Sequence, residues 1–158
     1  MDDFWGSVKK QCRCDLLKKG DPAYLHRYGV YGAQNPDYVF LFEFPEDEER
    51  LKILWPFLES QGLTLKNTAF AHAVGCRPKG FKLGNHVIDT FMKCARWNVL
   101  DKIKELKPSA VFVMGRALYS LTGDTFSSGK RALWDDFTHF NTRGSAFYSP
   151  RLGTMAVP

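Results

Sequence analysis

Three short, nearly continuous apolar runs alternate with amphipathic segments along this chain. The runs are Tyr38–Phe42, Asn67–Val74 and Ala110–Met114. Runs of this length are typical of strands buried on both faces of a parallel sheet. Between them, apolar residues recur at helical spacing from Leu51 to Gln61 and from about Asn85 to Leu106. The alternation of strands and helices predicts an α/β fold with a mainly parallel sheet.

Glycine and proline mark the ends of these predicted helices. Gly62 is placed to cap the first helix, and Pro56 inside that helix predicts a kink or a split. Lys107-Pro108 ends the second helix, and Gly115 opens a further helix directly after the third apolar run. Each predicted strand therefore leads into a turn or a helix that begins at a defined residue.

Two weaker segments complete the predicted sheet. Gly29–Gly32 is a candidate short strand, and Ser145–Tyr148 is a candidate fourth strand closed by Ser149-Pro150. In open α/β sheets, binding sites form beyond the carboxyl ends of parallel strands. Four such ends are therefore expected to meet at one edge: Glu43-Phe44-Pro45, Gly75-Cys76-Arg77, Gly115-Arg116 and Ser149-Pro150-Arg151.

Length and charge narrow the class of protein. The chain has 158 residues, 44% of them hydrophobic, which is enough for one buried core and predicts a single domain over residues 1–158. The net charge of +5 modestly favours a polyanionic partner. The sequence has no apolar run long enough to span a bilayer, and Asp2 and Asp3 replace the basic start of a signal peptide. We expect a cytoplasmic or nuclear protein that is neither secreted nor bound to a membrane.

Four cysteines are the strongest candidates for a metal centre. They are Cys12, Cys14, Cys76 and Cys94. In a reducing compartment, thiols serve as metal ligands, catalytic groups or small buried hydrophobes more often than as disulfides. Cys12 has basic neighbours that suit a buried core poorly. Four thiolates fit either tetrahedral zinc or an iron-sulfur cluster, and the residues alone leave these two alternatives and the inert thiols open.

Several short motifs occur in a particular order along the chain. The most specific is His72-Ala73-Val74-Gly75-Cys76-Arg77-Pro78, which resembles N-x-x-K-C-R-P with histidine in place of the asparagine and glycine in place of the lysine. The others are looser. Cys12–Leu16 resembles C-x-x-C-x-L with one residue fewer between the cysteines, and Leu106–Ala117 resembles L-x-P-x-x-I-x-x-x-G-x-x-A with one residue fewer between glycine and alanine. Phe42–Glu46 stands for G-E-x-P-G and Phe147–Pro150 for H-P-S. In these motifs the chain resembles the bacterial and archaeal iron-sulfur uracil-DNA glycosylases, often called family 4.

The resemblance implies a fold, a cofactor and a partner. The fold is a three-layer α/β/α arrangement around a central, mainly parallel four-stranded sheet. The cofactor is a [4Fe-4S] cluster held by all four cysteines, with zinc as the alternative, and no nucleotide cofactor is expected. The partner is DNA, with other replication or repair proteins as further partners. The cations expected to contact DNA are Arg77, Lys79, Lys82, Arg116 and Arg151.

The chain departs from the family at the positions that would carry out base excision. Glu43 matches the acidic residue that could activate water, but Phe42 and Glu46 replace the two glycines beside it. His72 stands at the pocket asparagine and Ser149 at the histidine of H-P-S. Losing one well-placed donor to a developing anion costs about 3 kcal/mol of transition-state stabilisation. Several such losses argue against ordinary uracil excision.

Three functions follow from this pattern. The first is a DNA-binding member of the superfamily whose excision site is weak or silent. The second is an active glycosylase for uracil or another modified base that uses Glu43, His72 and Ser149. The third is a non-catalytic interaction module of replication or repair machinery. Each candidate residue also has a structural alternative: Glu43 beside a helix N-terminus, His72 as a core histidine, and the basic residues as a solvated loop.

Overall fold

The computed structural model of the protein describes residues 29–44, 49–75, 94–95, 99–124 and 145–158. These contain six strands, two α-helices and one 3₁₀ helix with defined bounds, and Cys94-Ala95 and Val99-Leu100 are helical as well. The strands are β1 (Val30–Gly32), β2 (Tyr38–Phe42), β3 (Thr68–His72), β4 (Ala110–Val113), β5 (Phe147–Ser149) and β6 (Thr154–Val157). The helices are α1 (Glu49–Ser60), α2 (Asp101–Leu106) and the 3₁₀ helix (Gly115–Asp124).

The strands form one mixed sheet with the order β1-β3-β2-β4-β6-β5. The inner pairs β3-β2, β2-β4 and β4-β6 are parallel, whereas β1 and β5 pair antiparallel at the two edges. The α/β class predicted from the sequence is therefore confirmed. The described residues form a mixed sheet of six strands, where a mainly parallel sheet of four was predicted. Edge strand β1 matches the candidate strand Gly29–Gly32, whereas β6 has no counterpart in the prediction, because it is short and alternates between buried and exposed residues.

The prediction that the segment ending at Tyr148 forms the fourth parallel strand of the sheet is wrong. The segment around Phe147 forms β5, which is antiparallel to β6, and β6 is the strand that continues the parallel order. A tight turn makes this reversal possible. Its backbone N–H at Gly153 donates to the Ser149 carbonyl oxygen at 2.7 Å, and Gly153 has a φ of +70°. Ser149-Pro150 does end the strand, as predicted, because the chain reverses there.

The two faces of the sheet carry different side chains because successive residues of a strand alternate between faces. One face, the aromatic face, carries Tyr31, Phe40, Phe42, Phe70, His72 and Phe112. The other, the aliphatic face, carries Val39, Leu41, Ala69, Ala71, Val111 and Val113. Rings from three strands form a row across the aromatic face, since Phe40 lies 6.2 Å from Phe70 and 4.9 Å from Phe112 between ring centroids.

Helix α1 packs against the aromatic face through Leu51, Trp55 and Leu58. The helix continues through Pro56, so of the kink or split predicted there the split is wrong. Its end is closed by the glycine cap that the sequence predicts. The N–H of Gly62, whose φ is +87°, donates to Glu59 O, and the N–H of Leu63 donates to Leu58 O. This pair of bonds is a Schellman motif, which satisfies carbonyls that the helix end would leave open.

Helix α2 packs against the aliphatic face. Its buried residue Ile103 belongs to the same cluster as Val111 and Val113. The helix ends at Leu106, just before Lys107-Pro108, as the sequence predicts, and Lys107 takes a left-handed conformation with φ +51°. The start of the predicted helix, at about Asn85, lies outside the described residues. Within the described ranges, no helix is both long and apolar enough to cross a bilayer.

Candidate functional site

Three strands end side by side at one edge of the sheet, the carboxyl edge. The N–H of Val74 donates to Glu43 O at 3.0 Å, and the N–H of Met114 donates to Leu41 O at 2.8 Å. These bonds hold the residues after β2, β3 and β4 in one row. The predicted meeting of Glu43, Gly75 and Gly115-Arg116 is confirmed, because parallel strands bring their carboxyl ends to the same edge.

Glu43 and Arg116 form an ion pair at this edge, which we call the clasp. Glu43 Oε1 accepts the backbone N–H of Arg116 at 2.7 Å, and Oε2 accepts Nε at 2.8 Å. The guanidinium also places Nη2 at 2.7 Å from Oε2. Both carboxylate oxygens are therefore bonded to one residue, 73 positions further along the chain. Charge-assisted bonds of this length are among the stronger hydrogen bonds in proteins.

Gly115 allows the carboxylate to come this close. Its φ is +57°, in the left-handed region that glycine enters without steric cost. A Cβ placed on Gly115 would collide with Glu43 Oε1. Gly115 also begins the 3₁₀ helix, so the Glu43 carboxylate lies at the amino end of that helix, where negative charge is favourable. Glu43 therefore lies where a structural carboxylate beside a helix N-terminus would lie, which is the alternative to a catalytic role.

The clasp limits what Glu43 can do as a base. The side chain is 16% exposed and that of Arg116 is 27% exposed, so both are reachable from solvent at their margins. A general base must hold the water it activates within hydrogen-bond reach. Arg116 occupies Oε2 with two nitrogens and Oε1 with one, so a water could be held only at the remaining acceptor site of Oε1 unless the guanidinium leaves Oε2.

His72 is buried among rings at the end of β3. It is 1% exposed, and its ring lies 5.7 Å from Tyr31 and 5.9 Å from Phe42 between centroids. The Tyr31 hydroxyl lies 3.4 Å from His72 Nε2. The interplanar angle with Tyr31 is 20°, a stacked arrangement. These contacts are those of a core histidine packed among rings, which is the structural alternative to a residue that lines an open pocket.

Phe42 occupies the space next to His72. The two residues are aligned in the parallel register of β2 and β3, which places their side chains on the same face. Phe42 is 2% exposed and its ring also stacks on Phe40 at 6.2 Å. In the G-E-x-P-G motif this position would carry no side chain. Here a buried phenyl ring fills it.

Ser149 lies at the opposite edge of the sheet, so its predicted place beside Glu43 and His72 is wrong. It pairs with Thr154, the first residue of β6, and Thr154 Oγ1 donates to Pro108 O at 2.6 Å, just before β4 begins. The Ser149 hydroxyl accepts the N–H of Leu152 at 3.3 Å inside the turn. The error has one cause: β5 is antiparallel, so its carboxyl end points the other way.

The expected DNA-contacting cations are divided between these two edges. Arg116 is in the clasp at the carboxyl edge, whereas Arg151 is half-buried in the β5–β6 turn at the amino edge. The two do not form one patch. Arg77, Lys79 and Lys82 lie outside the described residues, as does Glu46. The basic loop itself therefore stays a prediction.

Of the four candidate metal ligands, the structure describes Cys94. It is 7% exposed and belongs to the same apolar cluster as Ala95 and Val74. Cys12, Cys14 and Cys76 lie outside the described residues. Among the residues that are described, no three His, Cys, Asp or Glu side chains are grouped to hold a metal ion. The four-cysteine ligand set stays a prediction.

Two residues of this edge were not singled out as functional from the sequence. Tyr31 contacts His72 from β1, and Gly115 makes room for the Glu43 carboxylate. Gly115 carries a usable signal, since glycine directly after a buried strand often marks a positive φ or a close approach. Tyr31 carries none, because its contact depends on β1 pairing with β3. No protein-family model matches the sequence, and comparison with curated proteins finds no match.

Proposed function

We propose that this protein is a DNA-binding member of the uracil-DNA glycosylase superfamily with a structural [4Fe-4S] cluster and a silent base-excision site. The observation that carries the silent site is the packing of Phe42 against His72. Both are buried, at 2% and 1% exposure. Base excision needs an open pocket that takes the flipped nucleotide. Rings of the protein itself occupy the place that the motif resemblance assigns to such a pocket.

The clasp supports the same conclusion from a second position. Glu43 is the acidic residue that the resemblance assigns to water activation. Its two oxygens accept hydrogen bonds from Arg116 at 2.7 Å and 2.8 Å. Binding of an arginine fork is a typical structural use of a carboxylate. A site whose base is held in an ion pair and whose pocket is filled favours binding without excision.

The proposed fold is the three-layer arrangement that the resemblance implies. Two observations support it. The four inner strands β3, β2, β4 and β6 pair in parallel. The two core clusters lie on opposite faces, with α1 residues in the aromatic cluster and Ile103 of α2 in the aliphatic one. Helices on both faces of a parallel sheet are the usual way to bury it.

The proposed cluster ligands are Cys12, Cys14, Cys76 and Cys94. The setting of Cys94 fits such a role, because a buried, apolar surrounding excludes solvent from a metal site and tunes its properties. A [4Fe-4S] cluster in this protein would hold chain segments together. Iron analysis with the visible spectrum of anaerobically purified protein separates the alternatives. Iron and broad visible absorption are expected, whereas bound zinc, or no metal, would overturn the cluster.

DNA binding is tested by fluorescence anisotropy with a labelled 20-nucleotide single strand and its duplex over a range of salt concentrations. The expected result is binding at low salt that weakens steadily as salt rises, because phosphate contacts release counterions. The protein's net charge of +5 is consistent with this dependence. Failure to bind either DNA at the lowest salt would refute the proposal.

An active glycosylase is the second candidate. Two observations favour it. Glu43 follows Phe42 directly and so lies in the same row of strand ends as His72. The Glu43 side chain is also partly exposed. Its test is an abasic-site assay on oligonucleotides containing uracil, hypoxanthine, xanthine or 5-hydroxymethyluracil. Product that disappears in Glu43→Ala would support it, and no product on any substrate would remove it.

An interaction module is the third candidate. Helix α1 exposes Ile53, Leu54 and Phe57, at 83%, 52% and 64%, on the side away from the aromatic face. Apolar residues grouped on a surface often mark a protein-binding site. If DNA binding is undetectable at low salt, this function becomes the leading one. Co-purification that depends on Ile53 and Phe57 would then be the expected behaviour.

A further inference from the structure

The Glu43–Arg116 clasp joins two residues for which the sequence predicts different tasks. Glu43 stands at the position for water activation and Arg116 among the cations expected to contact DNA. In the structure each binds the other, with Nε at 2.8 Å and Nη2 at 2.7 Å from the same carboxylate oxygen. Within the described residues, these are the charged side chains that meet at the carboxyl edge.

We propose that Glu43 is an autoinhibitory counter-ion, which occupies the Arg116 guanidinium and keeps it from a DNA phosphate. A carboxylate and a phosphate present the same kind of acceptor to an arginine fork, so they compete for it. Arg116 is 27% exposed, which leaves its guanidinium within reach of a ligand at this edge. The inference rests on the proposed DNA binding and concerns how strongly the protein binds.

Two structural features keep the competitor in place. The backbone N–H of Arg116 holds Glu43 Oε1 at 2.7 Å, independently of the guanidinium. Gly115 leaves space for that oxygen. The carboxylate is therefore anchored beside Arg116 whether or not the side chain swings away. Release of Arg116 costs the bonds to Oε2 but does not require Glu43 to move.

The experiment compares Glu43→Gln with Glu105→Gln in anisotropy titrations on the labelled duplex. Glu105 is a matched control, since it forms an exposed ion pair with Lys102 at 3.4 Å on α2 and its substitution changes the net charge equally. Glu43→Gln is expected to raise affinity about tenfold, the effect of one added arginine–phosphate contact. The slope of log K against log salt should become steeper by about 0.9. Glu105→Gln should change affinity less than about twofold.

The double variant Glu43→Gln/Arg116→Met assigns the gain to Arg116. It should bind no more tightly than Glu105→Gln and lose the added slope. Equal affinities for Glu43→Gln and Glu105→Gln, or a gain that survives in the double variant, would overturn the inference while leaving DNA binding intact. Absence of binding by every variant at low salt would instead refute the proposed function and this inference together.

Glu43→Asp covers the case in which Glu43→Gln fails to fold. Aspartate keeps the charge, but its shorter side chain cannot reach both the backbone N–H and the guanidinium of Arg116, so it competes less well with phosphate for that guanidinium. A gain in affinity smaller than that of Glu43→Gln is expected. Affinity equal to or below that of the wild type in a folded Glu43→Asp protein would contradict the inference.

Discussion

The carboxyl edge of the sheet and the β5–β6 turn both carry residues expected to take part in catalysis, but they are built differently. At the carboxyl edge, Glu43 binds Arg116 and Phe42 packs on His72, contacts between residues far apart in sequence. In the turn, Ser149 bonds to Leu152 and Gly153, within four residues of itself. The first region is held by the pairing of strands, and the second by the local conformation of the chain.

The three candidate catalytic residues therefore differ in what their side chains stabilise. Glu43 and His72 sit where neighbouring strands meet, so their chemistry depends on the whole sheet. Ser149 is fully buried and its hydroxyl stabilises a reversal of the chain. The motif matches in the sequence predict a catalytic role for all three residues alike. The structure leaves Glu43 and His72 at one edge and places Ser149 at the other.

The largest effect is expected at the ring that fills the carboxyl edge. Phe42→Ala should lower the free energy of unfolding by about 3–5 kcal/mol, because a buried ring that contacts Phe40 and His72 is lost and a cavity remains. Urea unfolding followed by circular dichroism measures this change. Phe57→Ala is the control, since Phe57 is 64% exposed and its loss should cost less than about 0.5 kcal/mol. Similar costs for the two variants would remove the claim that Phe42 fills the site.

A smaller effect is expected at Gly115. Gly115→Ala should cost about 2–3 kcal/mol, the sum of left-handed backbone strain and displacement of the Glu43 carboxylate. Gly62→Ala isolates the strain, because Gly62 also has a positive φ but a Cβ there would meet no atom within 4 Å. That control should cost about 1–2 kcal/mol. If both alanine variants shift the urea midpoint equally, the close approach of Glu43 to Gly115 contributes nothing.

The smallest effect is expected in the β5–β6 turn. Ser149→Ala removes the acceptor of the Leu152 N–H and should cost about 1 kcal/mol. It should leave DNA affinity unchanged, because Ser149 lies away from the carboxyl edge. Parallel anisotropy and urea titrations test both statements. A marked loss of DNA affinity with intact stability would mean that Ser149 contributes to the binding site after all.

The sequence predicts the central strands well because burial on both faces produces long apolar runs. The segments Tyr38–Phe42 and Ala110–Val113 appear in the structure almost as their patterns predict. Strand β6, Thr154–Val157, was missed because it is short and alternates between buried and exposed residues. Without β6, the sequence pattern favours a parallel β5 and therefore predicts Ser149 at the wrong edge of the sheet.

The clasp could not have been predicted from one sequence. Glu43 and Arg116 are 73 residues apart, and they meet only because β2 and β4 are neighbours in the sheet. The contact of Tyr31 with His72 likewise depends on β1 pairing antiparallel to β3. Residue types indicate which chemistry is available, whereas the order of strands in the sheet decides which distant residues come into contact.

The central claim is that the protein binds DNA without excising a base. A single-turnover abasic-site assay tests it most directly, with protein in excess over a labelled uracil-containing oligonucleotide. Anisotropy in the same mixture confirms that the oligonucleotide is bound. We predict bound DNA with no cleavable abasic product above the protein-free control, on single-stranded and duplex substrates. Accumulation of abasic product that is lost in Glu43→Ala would contradict the account.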